Sequence, residues 1–282
     1  MIEQIKIALD RIEAADAIVI SASNGLSIAE GINIFAENED FIKHFGEFRN
    51  RYGFRSIIKG CFHSFPTEPE KWAFFSKMYS YFFHNKTSSN VMNNLHSLVK
   101  NKPHFVVTSN IDAHFHLANF NPDHILEIEG NCRNLQCASL CHDHLYSGDQ
   151  ILSDMAQQVQ NGKIPEKLIP SCPKCNGLMQ VHIEVDHMFL RGKEWQAHQN
   201  AFNHFLHEIR GKKIVFLELG IGARNQLIKA PIMQLVDREP LASYICCNLG
   251  MELYIPNKIA NKSIGINGDI AQVLNQFSTL AS

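Results

Sequence analysis

Residues 17–35 read Ala17-Ile18-Val19-Ile20-Ser21-Ala22-Ser23-Asn24-Gly25-Leu26-Ser27-Ile28-Ala29-Glu30-Gly31-Ile32-Asn33-Ile34-Phe35, and the fold turns on how this stretch is read. It begins with a short run that is apolar at consecutive rather than alternate positions, the mark of a strand covered on both faces. Small residues follow at once. At a strand-to-helix turn they let backbone N–H groups approach a pyrophosphate, and the helix N-terminus adds a favourable dipole. Upstream, Ile2, Ile5, Leu9 and Ile12 recur at helical spacing, so the chain opens as helix, buried strand, turn.

The same rhythm continues outward. Short apolar runs recur at Phe105–Val107, Ile125–Ile128, Ile214–Leu219, Tyr244–Cys246 and Ile264–Ile266, and helical segments such as Ser88–Lys100 and Glu194–Ile209 separate most of them. Runs rich in β-branched and aromatic residues, alternating with helices, predict an α/β fold built on an open parallel sheet with helices on both faces. Such sheets bind ligands beyond the carboxyl ends of their strands. Two stretches break the rhythm. From about Phe41 to Phe83 aromatics crowd at helical spacings, which predicts a small helical lobe, and Cys132 to His182 is polar and, beyond Cys132 itself, carries Cys137, Cys141, Cys172 and Cys175. The expected organisation is a discontinuous Rossmann-like domain of residues 1–34, 84–131 and 184–282, a lobe of residues 35–83, and a zinc-binding module of residues 132–183.

Composition narrows the class. Hydrophobic residues make up 45% and charged residues 19% of the chain, values of globular enzymes rather than disordered tails. The 26 basic residues are scattered against 28 acidic ones, so no electrostatic footprint for nucleic acid is expected. The N-terminal segment lacks the form of a secretory signal, and no apolar run approaches the ~20 residues of a membrane helix. No membrane association and a cytoplasmic location are expected. The fifteen histidines show no H-E-x-x-H spacing, no G-x-S-x-G is present, and hydrolase readings lapse.

Cys137-Ala-Ser-Leu-Cys141 and Cys172-Pro-Lys-Cys175 form two short-spaced pairs whose four thiolates suit tetrahedral zinc. The second pair is the more specific, because a turn after its first ligand aims backbone amides at the sulfurs. Around the looser first pair, Cys132, His142 and His144 remain alternative ligands. A site closed by four cysteines leaves no position for water, so the zinc would be structural. Cys61, Cys246 and Cys247 read as buried free thiols.

The next runs end in Thr108-Ser109-Asn110-Ile111-Asp112 and Glu127-Ile128-Glu129-Gly130. A G-A-G-I-S type loop with G-I downstream, then T-Q-N-I-D, E-L-H-G and two cysteine pairs, in that order, is the sirtuin pattern, and this chain resembles it over nearly its whole length. T-S-N-I-D and C-P-K-C-N-G are the best single matches. The chain departs from that pattern at Ser23 and Asn24 (usually Gly and Ala), at Asn33-Ile34-Phe35-Ala36 (P-D-F-R) and at Glu129 (the catalytic His of the deacylases). With Asn110-Ile111-Asp112-Ala113-His114-Phe115 it looks most like the microbial class M branch, whose members are linked to macrodomains.

The resemblance implies NAD as co-substrate. It would lie along Ser23, Asn24, Gly25, Ser27 and Asn33, with Ser109 and Ile111 beside it. Gly220, Ile221 and Gly222 look like a later glycine segment, Asn248 and Leu249 like the ribose contact, and Gly268, Asp269 and Ile270 like the loop near adenine. Asp112 would hold the nicotinamide carboxamide, Asn110 would fix the ribose or a water, and Phe35 would cap the pocket. Glu129 would accept a proton or stabilise the cationic ribose, which is all that transfer to an external nucleophile requires. The implied activity is protein ADP-ribosylation, with a lipoylated carrier of the glycine-cleavage H type as acceptor and a macrodomain hydrolase as partner. A lysine deacylase and a non-catalytic NAD or ADP-ribose sensor are the alternatives.

Overall fold

A computed structural model describes residues 1–83 and 87–280; the expected lobe boundary after residue 83 adjoins residues 84–86, which lie outside it. The strands are β1 (Ala17–Ala22), β2 (His104–Thr108), β3 (Ile125–Glu127), β4 (Gly130–Cys137), β5 (Tyr146–Ser147), β6 (Met179–Ile183), β7 (Ile214–Leu219), β8 (Ser243–Asn248) and β9 (Ser263–Asn267). The helices are α1 (Ile2–Glu13), α2 (Asn24–Ala29), α3 (Glu39–Tyr52), α4 (Ile57–Cys61), α5 (Glu68–Phe83), α6 (Asn90–Val99), α7 (His114–Leu117), α8 (Asp149–Gln157), α9 (Lys193–Glu208), α10 (Gln226–Arg238) and α11 (Ile270–Leu280).

Six parallel strands form one sheet in the order β3-β2-β1-β7-β8-β9. The strand order reverses between β1 and β7, where doubly wound sheets open a crevice for dinucleotides. Alternate residues of each run face opposite layers. Ile18, Ile20, Val106, Leu217 and Ile245 pack with α1, α6 and α11 on one side, whereas Val19, Phe105, Phe216 and Tyr244 pack with α9 and α10 on the other. The continuous apolarity of the runs has this double coverage as its cause.

The crowded aromatics are core. Phe41, Phe45, Phe48, Trp72 and Phe74 are buried from α3 and α5, and the same cluster takes in Leu135, Cys137, Leu152, Met155 and Val181 from the cysteine-bearing segment. Lobe and segment thus share one apolar core beside the sheet. β4, β5 and β6 form a separate antiparallel sheet.

One expected strand ends early. The run Ile125–Ile128 pairs only to Glu127 because the chain turns back into β4 at Gly130, whose φ is +73° and where a Cβ would lie 2.1 Å from the His182 carbonyl oxygen.

The tightest constraint lies at the crevice. Ala22 pairs with Thr108 on one side and Leu219 on the other, so three strands end level. Just beyond, a Cβ on Gly25 would sit 2.4 Å from Gly220 Cα, a Cβ on Gly220 would sit 2.4 Å from Gly25 Cα, and Gly220 has φ +65°. Gly25 N–H donates to Gly220 O at 3.0 Å. Behind this turn the fully buried Glu218 of β7 pairs with Lys229 of α10 and accepts from the Tyr244 hydroxyl. Lys229 Nζ also reaches Ile221 O at 3.3 Å. Gly25→Ala and Gly220→Ala should each lower the melting temperature by about 5 °C or more, through backbone displacement and, at Gly220, a left-handed conformation; thermal unfolding followed by circular dichroism checks this.

Candidate active site

Beyond the carboxyl ends of β1, β2, β7 and β8 opens a cavity of about 860 Å3. Of the residues singled out from the sequence, Ser23, Asn24, Gly25, Phe35, Ser109, Ile111, Glu129, Gly220, Gly222, Asn248, Leu249, Asp269 and Ile270 line it. Phe35 is 53% exposed at this wall, so its ring belongs to the opening rather than to the core. Ser27, Asn33, Asn110, Asp112 and Ile221 are not on the wall. Asn33 Oδ1 accepts from the Phe35 N–H at 3.0 Å and shapes that turn, and the Ile221 carbonyl accepts from Asn248 Nδ2 at 2.9 Å.

The polar floor is layered. Ser23 Oγ and Ser109 Oγ lie 3.0 Å apart, and Asn225 Nδ2 donates to them at 3.3 and 3.2 Å, tying the ends of β1 and β2 to the loop after β7. Asn110 is 4% exposed; its Nδ2 donates to Ser23 O at 3.2 Å, and its Oδ1 has no partner among the described residues. A buried acceptor left open is costly unless a donor arrives. Beneath it Asp112 accepts from Ser27 Oγ at 2.5 Å and from His114 N–H at 3.0 Å. The carboxylate therefore caps α7 as well as bracing α2.

A charged trio lies behind this floor. Carboxylate and ring atoms of Glu30, Asp112 and His114 lie within 4.8 Å of one another. His114 Nδ1 meets Glu30 Oε2 at 3.0 Å, and Nε2 meets Phe82 O at 3.1 Å. Both partners only accept, so the ring is doubly protonated. Burial alone would lower its pKa, but Asp112 and the Glu30 hydrogen bond outweigh this and raise it to about 9. The Glu129 pKa also rises, here toward the neutral form: burial, and then the nearby Glu184, raise its carboxyl to about 7, poised to exchange a proton near neutral pH.

Sequence reading missed several lining residues. Arg224 is the cationic side chain of the described wall, and Asn225, Glu252, Ile28, Ala29, Ile34 and Ile58 complete it, whereas Gly268, expected beside Asp269, lies on the wall as well. Arg224 and Asn225 follow Gly222 closely and were within reach of a longer motif. Ile58 comes from α4 and carries no local signal.

The four cysteines converge. Cys137 Sγ lies 3.7 Å from Cys175 Sγ, and Cys141 Sγ lies 3.6 Å from Cys172 Sγ. Four sulfurs at about 2.3 Å from one tetrahedral zinc would stand about 3.8 Å apart, so the cluster fits the ion. Gly177 N–H donates to Cys175 Sγ at 3.4 Å, and amides of Cys175 and Lys174 outweigh burial to lower the Cys172 thiol to about 6. Of the alternative ligands, Cys132 is buried in the shared apolar core and His144 pairs with Glu194. His142 Nδ1 stays close, 3.0 Å from Cys141 Sγ.

No family model matches the chain. It is 29% identical, over 96% of its length and 86% of the relative's, to a Staphylococcus aureus protein named Protein ADP-ribosyltransferase. It is 26% identical to a Fusarium oxysporum f. sp. cubense protein named Probable bifunctional ADP-ribose hydrolase/ADP-ribosyltransferase, and spans 96% of itself but 47%, about half, of that relative. Among solved structures it superposes on a mutant Sir2 homologue in complex with ADP-ribose, with TM-score 0.65 and 15% identity over 97% of this chain and 95% of that one. Sir2Tm bound to a propionylated peptide matches with TM-score 0.57 and 17% identity over 98% of each chain.

Two expectations can be measured directly. A group whose pKa rises on folding stabilises fully below its free value and loses that contribution as pH climbs through the folded one. His114→Gln should therefore lower the melting temperature at about pH 6, with the difference shrinking as pH rises through about 9. Cys172→Ser, or a chelator, should destabilise the lobe and cysteine segment together, because metal binding there is folding free energy; calorimetry with and without added zinc reads the loss.

Proposed function

We propose that this chain, whose fold is that of the sirtuins, is an NAD-dependent protein ADP-ribosyltransferase. The observation that carries the reading is the placement of Glu129. A carboxylate with a pKa raised to about 7 stands in the same cavity as the facing glycine turns of β1 and β7. The relatives named as ADP-ribosyltransferases support the same reaction.

NAD supplies the ADP-ribosyl group and nicotinamide as leaving group. The glycine turn at Gly25 and Gly220 brings backbone N–H groups and the start of α2 toward the diphosphate, and Arg224 stands at the wall as counter-charge. Asn110 Oδ1, open and buried, accepts from a ribose hydroxyl. Asp112, beneath the floor with its two oxygens engaged by Ser27 and the His114 amide, acts on the nicotinamide end through its charge, and Phe35 closes the opening. As the bond to nicotinamide breaks, its electron pair leaves with the ring and positive charge grows on the ribose; the carboxylates of Glu129 and Asp112 stabilise it. Glu129 then takes the proton that the acceptor nucleophile releases as it bonds to the anomeric carbon.

Apolar residues Ile58, Ile111 and Phe35, which line the same cavity as Glu129, suit an acceptor presented on an extended apolar arm, such as a lipoylated carrier of the glycine-cleavage H type. The bifunctional name of the fungal relative, of which this chain matches about half, supports a separate ADP-ribose hydrolase as functional partner. The test incubates the protein with labelled NAD, a lipoylated carrier and, separately, an acetylated peptide. Label should pass to the carrier with release of nicotinamide, the rate should rise with pH through about 7, and Glu129→Gln should cut it by about 10²–10⁴-fold. Acyl-ADP-ribose from the peptide, with an unlabelled carrier, would replace this reading by deacylation.

A further inference from the structure

A second cavity, of about 100 Å3, lies between β3, β4 and the start of α9. None of its residues lines the large cavity. Four buried polar atoms among its lining side chains lack hydrogen-bond partners among the described residues: His116 Nε2, Glu127 Oε1, His182 Nδ1 and Trp195 Nε1. Buried polar groups are nearly always paired, so four gathered around one hole call for an occupant.

The atoms define its chemistry. His182 is 3% exposed, and its Nε2 meets Leu190 O at 3.0 Å. A carbonyl only accepts, so Nε2 carries the hydrogen; burial lowers the ring's pKa and leaves Nδ1 as a bare lone pair. Glu127 Oε2 accepts from Asn131 Nδ2, which leaves Oε1 open; His116 Nε2 lies 3.4 Å from it without bonding. Trp195 Nε1 can only donate. The occupant must therefore give at least two hydrogens, to Glu127 and His182, and accept one from Trp195. Trp195, Ile125, Leu126 and Leu145 supply apolar wall, and Asn131, Asn134, Glu194 and His198 complete the lining. A metal ion does not answer: among the described residues these side chains form no group of three with ligand atoms within 4.8 Å of one another.

We propose that this cavity is a binding site for a small planar primary carboxamide. Its NH2 donates to Glu127 and His182, its oxygen accepts from Trp195, and its ring lies on the apolar walls. Glu127 and Gly130 flank Glu129 in sequence, so an occupant grips both ends of the turn that presents the candidate catalytic carboxylate. On the reading of the large cavity given above, the reaction itself releases such a molecule, nicotinamide, and the site would register product. Binding does not depend on that reading.

The chain holds two tryptophans, and Trp72 Nε1 donates to Glu68 at 3.1 Å in the remote lobe. The full chain, labelled with ¹⁵N-tryptophan, therefore shows one indole N–H signal at the site and one internal reference, assigned with Trp195→Phe or Trp72→Phe. Nicotinamide, without NAD present, should shift the Trp195 signal saturably with a dissociation constant on the order of 1 mM, as befits a fragment of this size, and leave Trp72 in place. Nicotinate, which offers no N–H and brings a second carboxylate to Glu127, should leave both signals in place. Glu127→Ala should abolish the nicotinamide shift. A stationary Trp195 signal in the unsubstituted protein means that water fills the cavity and overturns the proposal; an equal response to nicotinate, or a shift that persists in Glu127→Ala, overturns it as well. Absence of ADP-ribosyl transfer in the preceding assay would leave this result unaffected.

Discussion

The approach of Gly25 to Gly220 is the constraint from which the rest of the architecture follows. Two neighbouring parallel strands end level, and their continuing chains cross at a separation that admits no Cβ on either residue. Because backbone meets backbone there, α2 starts at the crevice with its Gly25 N–H bonded across to Gly220 O, and the loop after β7 forms the facing wall. Ser23, Ser109 and Asn225 then lock three chain segments by side-chain hydrogen bonds. A dinucleotide-sized cavity is the geometric result of this crossing at the point where strand order reverses.

Charge is placed around that crossing in two different ways. Behind the β7 turn, Glu218 and Lys229 are fully buried and matched, with Tyr244 and Cys246 satisfying the carboxylate further. Such a pair contributes little net stability, but breaking it leaves an uncompensated buried charge, so it serves to hold the turn through Ile221 O. Around Asp112 and Glu129 the balance is negative: Glu30 and Asp112 face a single imidazolium, His114, and Glu184 lies near enough to Glu129 to raise its pKa. A surplus of carboxylate in a partly dry site favours a developing cation, the charge that loss of nicotinamide creates. Burial, and then Glu184, raises the Glu129 carboxyl to about 7, which makes a residue of ordinary acidity into a proton acceptor matched to neutral pH.

The cysteine cluster contributes without touching the chemistry. Its segment shares an apolar core with the aromatic helices, and the helical side of that core delivers Ile34 and Ile58 to the cavity wall. Zinc fixed by Cys137, Cys141, Cys172 and Cys175 would therefore set the position of one wall relative to the sheet through packing alone. The turn at Gly130, where β3 gives way to β4, joins this unit to the sheet and carries Glu129.

Much of this was legible in the chain itself, for identifiable reasons. Strands buried on both faces must be apolar at successive positions, so the runs at residues 17–20, 105–107 and 214–219 announced a parallel sheet; thiol spacing announced a metal cluster; the order of the short motifs announced the site. Local chemistry dictates each of these. What tertiary structure alone decided depends on atoms far apart in sequence. Composition near Asp112 does not reveal that Ser27 and the His114 amide occupy its oxygens, nor that Asn110 Oδ1 is left open. Ile58 reaches the cavity only because α4 packs against the aromatic lobe, and Glu129 acquires its proton affinity only from burial and from Glu184, fifty-five residues further along. The expected strand through Ile128 stopped at Glu127 because the carbonyl of His182, from β6, leaves no room for a Cβ at residue 130. Sequence sets which groups are present and which segments bury themselves; desolvation and close approach, which exist only once distant segments meet, set what those groups can do.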